Sequence, residues 1–262
     1  MRRLVGVDAG GTRTTGALSG DDGVARTFEG GAANPNVVGV EAAADEIAHC
    51  VAGVLAGEDA DAIVAGVAGT GKPDVCGEVE VRLQRRFPAS RVVVCSDAAI
   101  ALRAAIPEGD GVVVIAGTGS IVYAEIGGET LRAGGEGYLT GDPGSGYAIG
   151  LAALPTSAGM SVAQIAAHAR TVLRSAARGD ARSEAILETA ANELHRMIES
   201  IAQYCLPGTP LAFAGGLLRE RNALTQRLER RIADSALTLR IKPERFEPYL
   251  GALRFAARLA SS

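Results

Sequence analysis

Asp8 and its neighbours are the first residues whose types and spacing suggest chemistry. The stretch VGVDAGGTRTTGAL (5–18) runs from apolar strand-forming residues into a glycine pair and then into hydroxyls. A carboxylate among apolar residues is costly unless it has a partner or a task. A similar pattern returns at VVVIAGTGSIVYA (112–124), this time without the acid. Glycine suits loops that cradle phosphate, because backbone N–H groups can then approach an anion with no Cβ in the way. Read together, Gly10, Gly11 and Thr12 form one half of a clamp on the phosphates of a nucleotide, and Gly117, Thr118, Gly119 and Ser120 form the other. Asp8 would then stand beside the phosphates and hold Mg2+ through water, and one such metal anchor is enough. Taken singly, each loop is an ordinary hairpin turn. The pairing, together with Asp8, favours the clamp.

Two other phosphate-binding patterns fit less well. A dinucleotide loop needs GxGxxG between a strand and a helix. GTGSIV at Gly117 lacks the third glycine and runs on into β-prone residues. GVAGTGKP (66–73) has the spacing of a nucleotide P-loop, but Pro73 stands where a Mg2+-binding hydroxyl is required. In a chain with 34 glycines this match reads as coincidence.

The elements that must position these loops alternate between strand and helix. Strands are expected at Leu4–Val7, Arg13–Ser19 and Gly23–Glu29, with turns at GG and GDDG, followed by an amphipathic helix from Val40 to Leu55. A buried strand AIVAGVAG, a helix opened by Pro73, the strand RVVVCSD and the helix AAIALRAAI complete the first half. From Gly111 the order restarts with VVVIAG, SIVYAEI and TLRAG. A glycine-rich stretch, GGEGYLTGDPGSGYAIG, leads into helices at about Ile149–Leu154, Val162–Arg178 and Ala181–Cys205. The strand LAFAGG, a helix Leu217–Ala233, the strand LTLRI and a last helix Gly251–Leu259 follow. Such alternation implies largely parallel sheets covered by helices on both faces. The chain therefore contains two copies of one α/β unit.

Composition narrows the function classes. At 262 residues the chain can bury a large core, and 47 % apolar with 21 % charged residues is an ordinary globular balance. A formal charge of −4 offers no basic footprint, so no nucleic-acid partner is expected. Cys50, Cys76, Cys95 and Cys205 lie far apart with no CxxC, which argues against zinc, an iron–sulfur cluster or a disulfide framework and for reduced thiols in the cytoplasm. MRRLVGVDAGG reaches Asp8 too soon to read as a secretory leader, and no apolar run has the length of a membrane span. His49, His168 and His195 read as helix-surface or packing residues, and Tyr138 and Tyr147 as filling space among glycines.

In order along nearly the whole chain, the motifs resemble the N-acetylglucosamine kinase-like branch of the BadF/BadG/BcrA/BcrD ATPase family, within the actin-like ATPase and sugar kinase superfamily. GVDAGGTRTTGAL is similar to the first phosphate loop, IAGTGSIVYA to the second, CSDAAIAL to the segment of the catalytic aspartate, AGGEGYLTGDPGSGYAIG to the sugar-site stretch and LAFAGGLL to the adenosine motif. The resemblance implies a duplicated actin-like (ribonuclease H-like) α/β fold with a cleft between domains at 1–108, completed by about 248–262, and 109–247. It implies an ATP- and Mg2+-dependent kinase acting on the 6-hydroxyl of a small-molecule amino sugar, as a homodimer without a membrane partner. Closure on the sugar would exclude water. By resemblance Asp8 is the metal-linked acid, and Asp97 is the base that takes the hydroxyl proton. Asn34, Asp97, Gly135, Glu136 and Asp142 occupy sugar-site positions, while Gly215 and Gly216 form the adenosine platform.

Physical reasoning supports Asp97 in part. It ends a buried strand and opens a helix, where N–H groups orient a carboxylate and ligands collect. Ordinary capping by Ser96 and Asp97 is the competing reading. Three features depart from the family pattern: Glu136 replaces a tryptophan, Pro143 replaces a glutamate, and a bulky aromatic is missing near Ala148. The helical region between Gly150 and Ala163 is also shortened. Glu136 either attracts an amine, favouring glucosamine-like acceptors, or points into solvent. Two rival functions stand beside the kinase: an ATPase that activates a partner enzyme, and a non-catalytic nucleotide- or sugar-binding homologue. The first is disfavoured because SIVYAEI, after the second loop, has no cysteine for a shared cluster.

Overall fold

The computed structural model describes residues 2–20, 23–70, 73–139 and 142–261. The chain divides into two compact units, 1–108 with 246–262, and 109–245. Each is built on a five-stranded sheet.

In the first unit, β1 (Leu4–Ala9), β2 (Thr14–Gly20) and β3 (Gly23–Gly30) form an antiparallel meander, and β4 (Ala62–Val67) and β5 (Arg91–Ser96) add parallel strands beside β1. The sheet order is β3-β2-β1-β4-β5. β4 is buried along its whole length, as a strand covered on both faces must be. Odd-numbered β1 residues Val5, Val7 and Ala9 pack with Ile47, Val51 and Val54 of α2 (Val40–Leu55) and with Val79 and Leu83 of α3 (Pro73–Arg86). On the opposite face Leu4, Ala62 and Val64 pack with Ile100 of α4 (Asp97–Ala105) and Ala252 and Ala256 of α10 (Tyr249–Leu259). A short helix, α1 (Pro35–Val38), was not evident from periodicity, because one turn carries none. Asp21, Asp22 and Lys72, which belong to the GDDG turn and the GVAGTGKP stretch, lie outside the described residues.

The second unit repeats the plan. β6 (Gly111–Ala116), β7 (Ser120–Ile126) and β8 (Glu129–Gly134) form the meander, and β9 (Pro210–Ala214) and β10 (Arg240–Ile241) extend it in parallel. Its order, β10-β9-β6-β7-β8, is the first sheet's order with the corresponding strands substituted. Helices α5 (Gly146–Ala153), α6 (Val162–Ala167), α7 (Ala169–Ala176), α8 (Ala181–Ala202) and α9 (Ala223–Asp234) complete the unit. The expected helix 162–178 breaks at His168, and the expected helix from Leu217 starts only at Ala223. The second shift has a clear cause. Leu217 N–H bonds back to the Ala116 carbonyl, the Leu218 and Arg219 N–H groups bond to Gly215 O, and Asn222 caps α9. Of LTLRI only Arg240–Ile241 pairs as a strand.

All four cysteines are free thiols. Burial and the nearby Glu46 push Cys50 up to about 11, so it stays an unreactive thiol. Among the described residues no helix is long and apolar enough to cross a membrane.

The C-terminal helix seats on the first unit through glycine. A Cβ on Gly251 would overlap the Ile100 carbonyl oxygen and approach Ala104 N within 2.8 Å. Alanine gains roughly 1 kcal/mol over glycine in a helix, whereas overpacking against backbone costs typically 1–3 kcal/mol or more. Gly251→Ala is therefore expected to be destabilising despite its better propensity, by about 2 kcal/mol. Urea unfolding followed by circular dichroism checks this, and an unchanged midpoint would contradict the packing.

Candidate functional site

In the first unit the candidate residues sit at the carboxyl ends of β1 and β5 and on the loops beside them. Asp8 is half-buried near the end of β1, between Thr15 of β2 and Gly66 of β4. The β1–β2 turn closes by a bond from Gly10 N–H to Arg13 O at 2.9 Å. Gly10 O accepts from Ala33 N–H at 3.0 Å, which ties the turn to the segment carrying Asn34. Gly11 and Thr12 are exposed, and a Cβ on Gly11 would meet nothing within 4 Å. This open space is what a loop that receives a ligand requires.

Asn34 caps α1, its Oδ1 accepting from Asn36 N–H at 2.9 Å. Its side-chain amide makes no hydrogen bond among the described residues, leaving two donors for a hydroxyl. Asn36 was not singled out from sequence, yet its Nδ2 donates to Gly69 O at 2.9 Å. Gly69 has φ +82°, and a Cβ there would run into Asn34 Oδ1, so the loop after β4 fixes this asparagine. In the GVAGTGKP stretch, Thr70 is buried and spends its hydroxyl on Val67 O at 2.7 Å.

Asp97 opens α4 directly after β5. The two readings of this position separate in the structure. Ser96 is the cap, its Oγ accepting from Ala99 N–H at 3.1 Å, while Asp97 Oδ1 accepts from the adjacent Ala98 N–H at 2.9 Å. Burial raises the Asp97 carboxyl above its ordinary range, offset only in part by N–H donation from Ala98 and its own backbone. A carboxylate with a raised pKa binds a proton more readily, as a general base must. In-register pairing (Asp8 beside Gly66, Ser96 beside Val67) puts two strand spacings between β1 and β5. Asp8 and Asp97 are then roughly 12 Å apart, from strand spacing and rise. That is too far for direct contact and leaves room for a phosphoryl group and a hydroxyl.

In the second unit hydrogen bonds draw most of the candidates together. The β6–β7 turn closes by Gly117 N–H to Gly119 O at 2.9 Å. The start of α5 then clips onto it, with Gly146 N–H donating to Gly117 O at 2.7 Å and Tyr147 N–H to Thr118 O at 3.1 Å. Ser145, fully buried, caps α5 through Ala148 N–H. Ser145 and Gly146 are not singled out by the sequence reading, although a serine just before an apolar helical run is a cap signal, and Tyr147, read there as filling space, also holds the loop through its backbone. Ser120 O accepts from Gly135 N–H at 2.8 Å, and Ser120 Oγ donates to Pro143 O at 2.7 Å. The departure at Pro143 thus costs nothing here, because proline keeps its carbonyl. Gly215 turns with φ +82°, and a Cβ there would overlap the Ala116 carbonyl. Gly216 N lies 3.9 Å from where a Cβ on Gly117 would stand, and a Cβ on Gly216 itself meets nothing within 4 Å.

Asp142 lies directly against the loop: a Cβ on Gly119 would be 2.5 Å from its Oδ2. Burial raises its carboxyl, N–H donation from Gly137 and Gly135 opposes the rise, and the charge of Glu136 adds to it. Glu136 is exposed. Tyr138 and Tyr147 pack edge-on with ring centres 4.9 Å apart. Thr140 and Gly141 of the same stretch lie outside the described residues. A cavity of about 670 Å³ between α2 and α3 contains none of the candidates; its Glu41, Glu78, Arg82 and Arg86 pair among themselves.

Magnesium fits the donor set beside the first loop. Among the described residues no three His, Cys, Asp or Glu side chains gather into an all-protein metal site. Mg2+ needs none, because it is commonly held by one or two carboxylates, water and substrate phosphates.

The repeated sheet order, with a glycine turn after the first strand of each unit, defines the duplicated α/β fold of actin-like ATPases and sugar kinases. The chain belongs to the BadF/BadG/BcrA/BcrD ATPase family, whose model matches residues 5–256. It is 28 % identical over 206 residues to the N-acetylmuramic acid/N-acetylglucosamine kinase of Clostridium acetobutylicum, covering 64 % of this chain and 67 % of that one. A Chromobacterium violaceum structure named "putative N-acetylglucosamine kinase" superposes with TM-score 0.78 at 26 % identity, over 97 % of this chain and 98 % of that one. A ROK family glucokinase from Streptomyces griseus, solved with glucose and AMPPNP, shares the fold at TM-score 0.68 and 19 % identity, over 98 % and 99 % of the two chains.

The raised Asp97 carboxyl has a consequence for stability. Its native pKa lies above the unfolded value, so the folded state disfavours the ionised form; the resulting penalty is absent below the ordinary carboxylate range and grows as pH rises through it toward the native pKa. Asp97→Asn removes the charge at constant shape. It should therefore raise the melting temperature at pH 7, with the gain shrinking as pH falls through the carboxylate range. A variant less stable than wild type at pH 7 would contradict the assigned burial.

Proposed function

We propose that the protein is an ATP- and Mg2+-dependent kinase that phosphorylates the 6-hydroxyl of an amino sugar, N-acetylglucosamine, glucosamine or a relative. The observation that carries this reading is Asp97: a half-buried carboxylate with a raised pKa, relieved of capping by Ser96, at the carboxyl end of a parallel strand. The amino-sugar acceptor follows from the names of the Clostridium and Chromobacterium relatives.

In this reading Gly10, Gly11, Thr12 and Gly117 to Ser120 offer backbone N–H groups and hydroxyls to the phosphates, and Gly216 lets the adenosine approach. Asp8 would hold Mg2+ through water, and the ion neutralises charge on the phosphates when bound. Asn34 and Asp142 take sugar hydroxyls. Asp97 accepts the proton of the 6-hydroxyl as its oxygen bonds to the terminal phosphorus and the bond to ADP breaks. Such a base need not be strong, because positioning and electrostatics carry most of phosphoryl transfer. A homodimer in the cytoplasm completes the reading.

Coupled ADP release across glucosamine, N-acetylglucosamine, N-acetylmuramic acid, glucose and no sugar tests it. Sugar-dependent release is expected with at least one amino sugar. Asp97→Asn should lower kcat by about 10²–10⁴, the usual contribution of a general base. Normal sugar-dependent turnover in that variant would remove Asp97 from the role. Gly11→Ala and Gly216→Ala place their methyl groups in open space and should leave stability within about 0.5 kcal/mol of wild type. Each should nonetheless raise the KM for ATP about tenfold or more, by occupying room the nucleotide needs. An unchanged KM in both would sink the assignment of those loops.

A further inference from the structure

A second cavity, of about 320 Å³, lies wholly in the second unit between the end of α5, the face of α7 and the start of α8. Small-molecule pockets begin at about this size. Its walls are apolar at Leu154, Val172 and Ile186, and its polar lining includes a ring, hydroxyls and a guanidinium with donors to spare beside one carboxylate, Asp180. The half-buried His168 ring and Ser175 hydroxyl make no hydrogen bond among the described residues. Thr171 Oγ1 accepts from Arg174 at 3.2 Å, which leaves its own proton to donate. Arg182 places one donor on Ala152 O at 3.3 Å and, being exposed, keeps the rest. Asp180 caps α8 by accepting from Ser183 N–H at 2.8 Å; the hydrogen bonds from Ser183, and after them the positive charge of Arg182, hold its carboxyl below the ordinary range. The 22-residue α8 directs the positive end of its dipole toward the same place.

A cluster of unspent donors around a small, partly apolar hollow calls for an anion on a hydroxylated body. Phosphate is the match for Arg182 and His168, which make charge-assisted or strong N–H donations. A sugar ring suits the rest, with its apolar face on Val172 and Ile186 and its hydroxyls on Ser175 and Thr171. We propose that this cavity is a binding site for a hexosamine 6-phosphate, separate from the site of the reaction. Only the identity of the sugar rests on the kinase reading. The position gives such a ligand a route to the nucleotide loop, since α5 runs from Ala153 and Leu154 at the cavity to Gly146 and Tyr147, which hold Gly117 and Thr118.

Calorimetric titration of the full chain with glucosamine 6-phosphate tests the proposal, with inorganic phosphate as a comparison probe. Arg182→Ala and His168→Ala both alter side chains outside the proposed catalytic machinery, and the second removes no hydrogen bond. Each is expected to abolish one equivalent of binding or weaken it at least tenfold. If the kinase reading holds, wild type binds two equivalents and the variants one. If that reading fails, wild type binds one and the variants none, and the cavity still stands. Binding unchanged in both variants, no binding by wild type, or inorganic phosphate binding as tightly as the sugar phosphate would each overturn the proposal.

Discussion

Parallel pairing of β1, β4 and β5 in a common register is the constraint on which the first unit's site depends. With Ala9 beside Val67 and Val67 beside Ser96, three strands end on one line. Whatever follows each strand must therefore emerge along one edge: the Gly10 turn after β1, the Gly69 loop after β4, and Asp97 after β5. Ligands of open α/β sheets collect at that edge because strand ends deliver loops and helix N-termini there together. The register also settles which way the residues face. Leu4, Gly6 and Asp8 share the face covered by α10, and that helix approaches so closely that a Cβ on Gly6 would lie 2.7 Å from Leu253 N. The polar end of β1 thus continues a face whose packed part is closed by the C-terminal helix.

The second unit meets the same constraint with different means. β6 and β9 are parallel neighbours, so the Gly117 turn and the Gly215 turn emerge side by side. Here backbone bonds do the joining, through Leu217 N–H to Ala116 O and Gly146 N–H to Gly117 O. No room is left for side chains at the crossings, which is why glycine stands at 119, 146 and 215: a Cβ at these positions would run into Asp142, Gly117 O and the Ala116 carbonyl. At 11 and 216 glycine has open space instead. Two physically distinct reasons for the same residue type therefore coexist within one glycine-rich chain.

That distinction explains what the sequence disclosed and what it hid. Strands with continuous apolar runs, such as AIVAGV and VVVIA, were legible because both of their faces are buried. The long amphipathic helix α2 was legible from its periodic apolar face. The break at His168 and the turn from Leu217 to Asn222 were not, since each depends on carbonyls supplied from elsewhere in the fold. The same holds for Asn36, Ser145 and the contact of Asp142 with Gly119. Composition could show that glycines were abundant, but only the packing separates those that admit a neighbouring strand or helix from those that leave a hollow.

The candidate site accordingly divides into two kinds of recognition. Where phosphates would bind, the groups on offer are mostly backbone N–H donors in turns, whose geometry follows from strand order and survives many side-chain changes. Pro143 illustrates this tolerance, because the bond it makes to the loop uses its carbonyl oxygen. Other candidates offer side chains: in the first unit Asn34 with its unspent amide, and in the second Asp142 with its raised carboxyl and the exposed Glu136 beside it. A change at exposed Glu136 alters charge, whereas a change at Asn34 or Asp142 also removes the bond that each accepts from Asn36 or Gly137 N–H. An acid at 136 both raises Asp142 and makes the local potential more negative. A cationic group placed beside them would relieve that repulsion, whereas a neutral one would not. The chemistry offered at 34, 136 and 142 is thus the property most sensitive to single residues, and the geometry of the glycine turns is the property most firmly fixed by the architecture.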